Sequence, residues 1–134
     1  MSCKSAIYTA NTTATAVAVN GIIPLGETIR RFGTNLSLSG NTITARGRGY
    51  YDVNVSVSAE ATAAGDVTVS LLADGIPVPG ATATESAAAA GDIVNLAFPG
   101  MIRLLCECDS SNLALQLTDG AATMQNVAVL IEKV

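Results

Sequence analysis

In the segment GYYDVNVSVSAE at residues 49–60, every second residue from Tyr51 onward is apolar, and polar residues lie between them. Successive side chains of a strand point to opposite faces, so this pattern predicts a long strand with one dry face and one wet face. We expect Tyr51, Val53, Val55 and Val57 to be buried in the core, and Asp52, Asn54 and Ser56 to be exposed to water. A chain that contains such a strand needs a second layer to cover its dry face.

Strand signals of the same kind recur along the chain, whereas helical periodicity does not. Further strands are predicted at residues 6–9, 14–19, 36–45 (a hairpin about SGN), 66–84 (turned by ADG), 92–108, 112–118 and 123–134. Prolines restrict PVPG to an edge or loop, Pro99-Gly100 is expected to break the strand 92–108, and ESAAAAGD at 85–92 is expected to be a loop. About eight to ten short strands predict one all-β domain, residues 1–134, built as an antiparallel sandwich or barrel.

Composition removes most catalytic chemistry. The chain has no histidine, which excludes Ser-His-Asp and imidazole metal sites, and its only lysines, Lys4 and Lys133, lie near the termini. No glycine-rich phosphate-binding motif is present. We therefore expect no enzyme, no catalytic residue, no cofactor and no metal site. A paired-carboxylate glycosidase site stays open, because spatial pairs are invisible in a sequence.

Charge and hydropathy bear on partners. A net charge of −4 argues against nonspecific nucleic-acid binding. No apolar stretch has the length of a membrane span, and the first residues do not resemble a secretory signal. We expect no nucleic-acid or membrane partner, and synthesis in a cytoplasm. The aspartates next to glycines, Asp66, Asp74, Asp92 and Asp119, are interpreted as turn residues.

Four of the seven basic residues lie between positions 30 and 48: Arg30, Arg31, Arg46 and Arg48. They are candidates for a patch that binds an anion or glycan, or that contacts an acidic neighbour in a particle. The alternative is that they solvate the ends of strands.

The segment FPGMIRLL is apolar at both strand parities. Phe98, Met101, Ile102, Leu104 and Leu105 cannot all face one core, so a second dry environment must cover part of the strand. A partner subunit is the simplest candidate, which makes these five residues the predicted self-association interface.

The order of motifs resembles a known superfamily. SAIYT is followed by IPLGETI, GNTITARGRGYYDVNVSVSA, GDVTVSLLADGIPVPGA, GDIVNLAF and NVAVLIEKV. This order is similar to the trimeric jelly roll of the tumour necrosis factor (TNF) and complement globular-head superfamily. The G-Y-Y-D-V and D-G-x-x-V-P-G pieces resemble compact versions on bacteriophage particles and on collagen-like spore-surface proteins. The chain has no Gly-X-Y stalk of the spore-surface type.

The resemblance implies a TNF-like sandwich of about ten strands, three copies around an axis, and display of a surface. It predicts a non-enzymatic structural protein that forms a homotrimer, of the phage head-decoration or fibre type, with weak host attachment. Its location would be the virion, and its partners would be itself, capsid or other virion proteins, and a surface glycan. The alternative is a carbohydrate- or protein-binding module of a bacterial cell surface or spore coat.

The sequence CEC at 106–108 is the most unusual local feature. If the strand continues, Cys106 and Cys108 share a face, and a disulfide between positions i and i+2 would be strained. Free thiols are expected, with an interchain or Cys3-linked disulfide as the alternative. A thiolate metal site at a trimer axis is disfavoured, because a lone C-x-C lacks the second cysteine pair of a zinc site.

Overall fold

The computed structural model describes residues 4–134, and within that range it contains eleven strands. The strands are β1 (Ala6–Asn11), β2 (Thr15–Val17), β3 (Glu27–Phe32), β4 (Leu36–Ser39), β5 (Thr42–Arg46), β6 (Gly49–Ala61), β7 (Gly65–Ala73), β8 (Ile76–Ala87), β9 (Ile93–Leu104), β10 (Ser110–Asp119) and β11 (Ala122–Lys133). From residue 4 onwards, no helix has the length and apolar character that crossing a membrane requires.

The strands form two antiparallel sheets. Sheet 1 has the order β3-β1-β11-β6-β9, with β2 also paired to β11, and sheet 2 has the order β4-β5-β10-β7-β8. The inward side chains of both sheets form one apolar core. The prediction of an all-β antiparallel sandwich is confirmed, and the alternating strands are its physical cause.

Strand β6 lies between β11 and β9 in sheet 1, and its alternation matches the prediction. Tyr51, Val53, Val55 and Val57 are all at most 4% exposed, whereas Asn54 and Ser56 lie in solvent. Asp52 is half-buried rather than exposed, because Glu132 and Met101 flank it on the neighbouring strands.

Strand β9 does not break at Pro99-Gly100, so that prediction was wrong. Its pairing with β6 is continuous from Ile93 to Leu104, with Pro99 opposite Asn54. The Tyr50 carbonyl accepts a bond from the Val134 N–H, so even-numbered residues of β6 direct their backbone groups toward β11. Asn54 and Pro99 are therefore opposite each other without exchanging backbone hydrogen bonds. The proline nitrogen, which has no hydrogen to donate, faces the free edge of the sheet.

Gly100 explains why β9 can lie so close to sheet 2. A Cβ atom at this position would sit 3.1 Å from the Ala81 Cβ and 3.2 Å from a Leu71 methyl carbon. In the Pro99-Gly100 pair, the proline is tolerated because β9 is an edge strand, and the glycine is required because β9 packs closely against sheet 2.

The other local predictions were mostly correct. The turn at Asp74-Gly75 has positive φ at both residues, as a tight hairpin requires, and the prolines of PVPG lie on the edge strand β8. The predicted loop at 85–92 is shorter, because β8 continues to Ala87. Strand β3 was not predicted, since all six of its residues are exposed and show no alternation.

Candidate functional site

The two outer faces of the sandwich differ in chemistry. On sheet 2 the outward side chains are mainly hydroxyls and amides that bond to one another across strands. The Thr68 and Thr84 hydroxyls lie 2.7 Å apart, those of Ser70 and Thr82 lie 3.0 Å apart, and the Thr44 hydroxyl donates to the Asn112 side-chain oxygen over 2.9 Å. Many polar side chains of this face are therefore hydrogen-bonded to one another.

The outward face of sheet 1 carries large apolar groups instead. We call it the open face, and its large apolar members are Tyr8, Phe32, Tyr50, Ile93, Met101 and Leu130. Phe32 is 60% exposed and Met101 is 52% exposed. One face of a small sandwich therefore leaves several large apolar side chains in contact with water.

Strand register arranges these side chains in rows across the open face. One row runs from Arg30 through Tyr8, Leu130 and Asn54 to Pro99. The next runs from Phe32 through Ala6, Glu132 and Asp52 to Met101. A shallow groove between the rows is lined by the side chains of Tyr8, Phe32 and Leu130 together with Arg30.

The second row places two carboxylates side by side. Glu132 and Asp52 are directly opposite each other on β11 and β6, where like charges repel. Among residues 4–134 the one ion pair is Arg48 with Glu107, at 4.0 Å, so this acidic pair has no salt-bridge partner there. On the same face Arg103 lies over the Tyr50 ring, 5.6 Å from its centre.

The five residues of the predicted interface separate by parity. Phe98, Ile102 and Leu104 are at most 8% exposed and belong to the core of the chain itself. Met101 points outward from the open face, and Leu105 is exposed just beyond the end of β9. The unbroken alternation of β9 produces this division, so the first three residues are corrected to core positions.

The four arginines have different immediate surroundings. Arg30 lies on the open face beside Tyr8, whereas the Arg31 Nε atom donates to the Leu36 carbonyl over 2.6 Å. Arg46 ends β5, and Arg48 is near Glu107. Arg46 therefore lies at a strand end, and Arg48 belongs to a surface ion pair. That the four arginines contact an anion, a glycan or a particle stays a prediction.

The CEC segment lies in a turn and not in the strand. Strand β9 ends at Leu104, and the Asp109 N–H donates to the Cys106 carbonyl over 2.9 Å to close the turn. Within it the Cys106 and Cys108 sulfurs are 2.8 Å apart, and both side chains are exposed. The prediction that the strand continues through them was wrong, while Cys3 lies outside the described residues.

The contact between the two thiols shifts their pKa values in opposite directions. The hydrogen bond from Cys108 lowers the pKa of Cys106, and the same contact raises the pKa of Cys108. The carboxylate of Asp109 opposes ionisation of both sulfurs by its negative charge. Its Oδ2 atom accepts a bond from the Leu105 N–H at 3.3 Å, which holds the carboxylate beside the sulfurs.

Comparison with known proteins agrees with this architecture. The globular domain of zebrafish complement 1qA superposes with a TM-score of 0.72 at 12% identity, over 98% of this chain and 97% of that one. Murine APRIL superposes with a TM-score of 0.70 at 12% identity, over 98% and 100% of the two chains. The fold is a TNF-like jelly roll.

A third solved structure resembles this chain less closely. The PRD1 vertex protein P5 superposes with a TM-score of 0.56 at 13% identity, over 96% of this chain and 95% of that one. No family model matches the sequence, and no curated protein matches it in a sequence search. The likeness is thus one of fold alone.

Sequence reasoning missed most of the open face. Tyr8, Phe32, Tyr50 and Leu130 lie far apart in sequence, and only strand order and register bring them together. Tyr50 offered one signal, because it precedes the alternating run of β6 with the outward parity. Phe32 offered none, since ETIRRF shows neither period.

Proposed function

We propose that the protein is a non-enzymatic structural component that associates with copies of itself through the open face. The TNF-like resemblance implies three copies, and a homotrimer is the assembly that we propose. The observation that carries this proposal is the contrast between a sheet 2 face with satisfied hydroxyls and a sheet 1 face with exposed Tyr8, Phe32 and Met101.

A second copy fits this face by charge as well as by hydrophobicity. The Asp52–Glu132 pair offers two negative charges without a salt-bridge partner among the described residues, and Arg103 offers a positive charge on the edge strand of the same sheet. When the edge of one copy lies against the open face of the next, Arg103 can approach the acidic pair. Such a head-to-tail contact leaves no sticky surface only if it closes into a ring.

We further propose that the trimer belongs to a virion, as a head-decoration or fibre-type component with weak attachment to a host surface. The fold shared with a PRD1 vertex protein supports this proposal, as do the phage-like motifs G-Y-Y-D-V and D-G-x-x-V-P-G. Capsid proteins and a surface glycan are the proposed partners.

The test of self-association is the mass in solution. Multi-angle light scattering at micromolar concentration should give three chains of 13.5 kDa. Met101→Arg should dissociate the trimer and lower its melting temperature, because folding and association are linked. The matched control is Ile76→Arg, at a 70% exposed position on β8 of sheet 2, which should leave the mass unchanged.

A single-chain mass for the parent protein, without binding of a dye that detects apolar patches, would exclude the trimer. Equal effects of the two arginine variants would exclude the open face as the contact. For the virion proposal, the protein should sediment with assembled particles from a producing lysate. A trimer that remains with free proteins and binds a glycan array would support the cell-surface or spore-coat alternative.

A further inference from the structure

The turn between β9 and β10 gathers metal-ligand atoms in four consecutive residues. The sulfurs of Cys106 and Cys108 and a carboxylate oxygen of Asp109 all lie within 4.8 Å of one another. Glu107 lies between the cysteines and brings a further negative charge. Two thiolates and a carboxylate this close together would repel one another, so a cation between them would favour the ionised form of both thiols.

We propose that Cys106, Cys108 and Asp109 of a single chain bind one soft divalent cation of the Zn²⁺ class. Two thiolates and one carboxylate are a donor set that suits Zn²⁺, and they leave a fourth tetrahedral position for water or another ligand. This site is distinct from the open face and does not depend on the proposed assembly. It also differs from the axial site weighed from the sequence, because its ligands come from one chain.

The backbone of the turn is held in place before any ion binds. The Gly47 N–H donates to the Asp109 carbonyl over 3.0 Å, and the Asp109 N–H closes the turn onto the Cys106 carbonyl. The Leu105 N–H fixes the Asp109 carboxylate through its Oδ2 atom, which leaves the Oδ1 atom free of that bond. The turn therefore presents its donors on a fixed frame.

The movement that binding requires is small. Zn–S bonds of about 2.3 Å at the tetrahedral angle separate two sulfurs by about 3.8 Å. The sulfurs are 2.8 Å apart in the turn, so they must move apart by about 1 Å, which exposed cysteine side chains achieve by small χ1 rotations. Binding also replaces the thiol protons, so each ion bound as a dithiolate releases the protons that the thiols still carry.

Cobalt is the probe for this site, because Co²⁺ bound to thiolates gives a charge-transfer absorption that free Co²⁺ lacks. The full chain, reduced and free of metal, should bind one Co²⁺ per chain, and Zn²⁺ should displace it. Cys106→Ser and Cys108→Ser should each weaken the thiolate band strongly, and the two substitutions together should abolish it. Asp109→Asn, which keeps the turn acceptor but removes the charge, should weaken Co²⁺ binding at least tenfold.

Two control variants separate the site from its surroundings. Cys3→Ser should leave the band and the stoichiometry unchanged, although it removes the same kind of side chain. Glu107→Gln should weaken binding less than Asp109→Asn does, because it removes a charge but no ligand. Circular dichroism should show the same β spectrum for every variant, which confirms that each one is folded.

Three results would overturn the proposal. The first is a reduced protein that gives no cobalt–thiolate band. The second is a band that survives the combined Cys106→Ser and Cys108→Ser substitutions. The third is one ion per three chains, which would place the ligands at a shared axis. As an independent readout, Zn²⁺ should raise the melting temperature of the parent protein and not of the double serine variant.

Discussion

The two outer faces of this sandwich have the same strand geometry and opposite chemistry. The sheet 2 face pairs Thr68 with Thr84 and Ser70 with Thr82, so its polar groups bond within the chain. The open face of sheet 1 sets Tyr8 and Leu130 beside each other and adds an acidic pair whose charges repel. The polar groups of one face are paired within the chain, whereas the other face leaves large apolar groups and two like charges at the surface.

The two faces differ in how closely they follow the usual pattern of apolar residues inside and polar residues outside. A sandwich needs only one polar outer face per sheet to be a stable monomer. The hydroxyl-rich sheet 2 meets that need, whereas the open face departs from it at several positions in register. These departures lie in register, which distinguishes the open face from the singly scattered apolar residues that are normal on a protein surface.

The largest expected effect tests which side of β6 is dry. Val55→Asp should prevent folding, because it places an unpaired charge between Val129 and Phe98 in the core. Ser56→Asp changes the adjacent residue, which points to the open face, and should leave the chain folded. Circular dichroism and solubility distinguish the two results. Equal damage from both would mean that the assigned faces are wrong.

The next effect concerns two adjacent tyrosines on opposite sides of that strand. The Tyr51 side chain is buried, and its single O–H is shared between the Arg46 and Gly47 carbonyls, at 2.8 and 2.9 Å. Tyr51→Phe should lower the free energy of unfolding by about 1–2 kcal/mol, because it leaves the Gly47 carbonyl without this donor. Tyr50→Phe, on the open face, should leave it unchanged. Urea denaturation measures both, and a cost confined to Tyr50 would reverse the assignment.

Tyr51 also predicts a dependence on pH. Burial raises its pKa above the ordinary value of 10.0, with a smaller contribution from the charge of Glu107 and opposition from the Asn35 hydrogen bond. The folded state therefore holds the phenol proton more tightly than the unfolded state does. This stabilisation is present below pH 10.0 and is lost as pH rises through the folded pKa. Urea midpoints should fall above that pH, and less steeply in Tyr51→Phe.

A smaller effect tests the acidic pair. Glu132→Gln removes the repulsion with Asp52 and should stabilise the isolated chain by about 0.2–1 kcal/mol. The same change should weaken self-association, because it removes a charge that Arg103 of another copy would meet. Glu60→Gln is the control, since Glu60 pairs with Thr123 and Ile93 and has no acid opposite. A Glu132→Gln variant that associates more tightly would contradict the charge argument.

The smallest effect concerns the sheet 2 face. Replacing Thr68 and Thr84 together by Val removes both partners of one cross-strand hydrogen bond and keeps their shape. Its cost in unfolding free energy should lie within about 0.5 kcal/mol, because loss of both partners is nearly neutral. The mass in solution should stay that of the parent protein. Dissociation of the assembly would show that sheet 2 also contributes to the contact.

The alternation of apolar and polar residues was enough to predict most of the fold, but it predicted little of the open face. The period of two in GYYDVNVSVSAE fixed the inner face of β6, because burial there depends on parity alone. The break expected at Pro99 failed, because a sequence does not reveal that β9 is an edge strand. The open face depends on registers such as Tyr8 with Leu130, which join residues more than a hundred positions apart.

The cysteine turn was hidden for a different reason. Nothing in LLCECDS distinguishes a strand that continues from one that ends, since leucine and cysteine both suit a strand. The end at Leu104 follows from backbone bonds made by Asp109 to Cys106 and to Gly47, and the second of these lies in a distant segment. Tertiary contacts therefore decided the local structure there.

Three of the four prolines lie on the two edge strands of one side of the sandwich: Pro77 and Pro79 on β8, and Pro99 on β9. At Pro99 the ring nitrogen faces outward, so this edge lacks a donor that an incoming strand would need. In the assembly that we propose, neighbouring copies would find a poorer template there for continuous β-sheet growth. In the assembly that we propose, contact along this edge uses side chains, which limits the aggregation that bare strand edges promote.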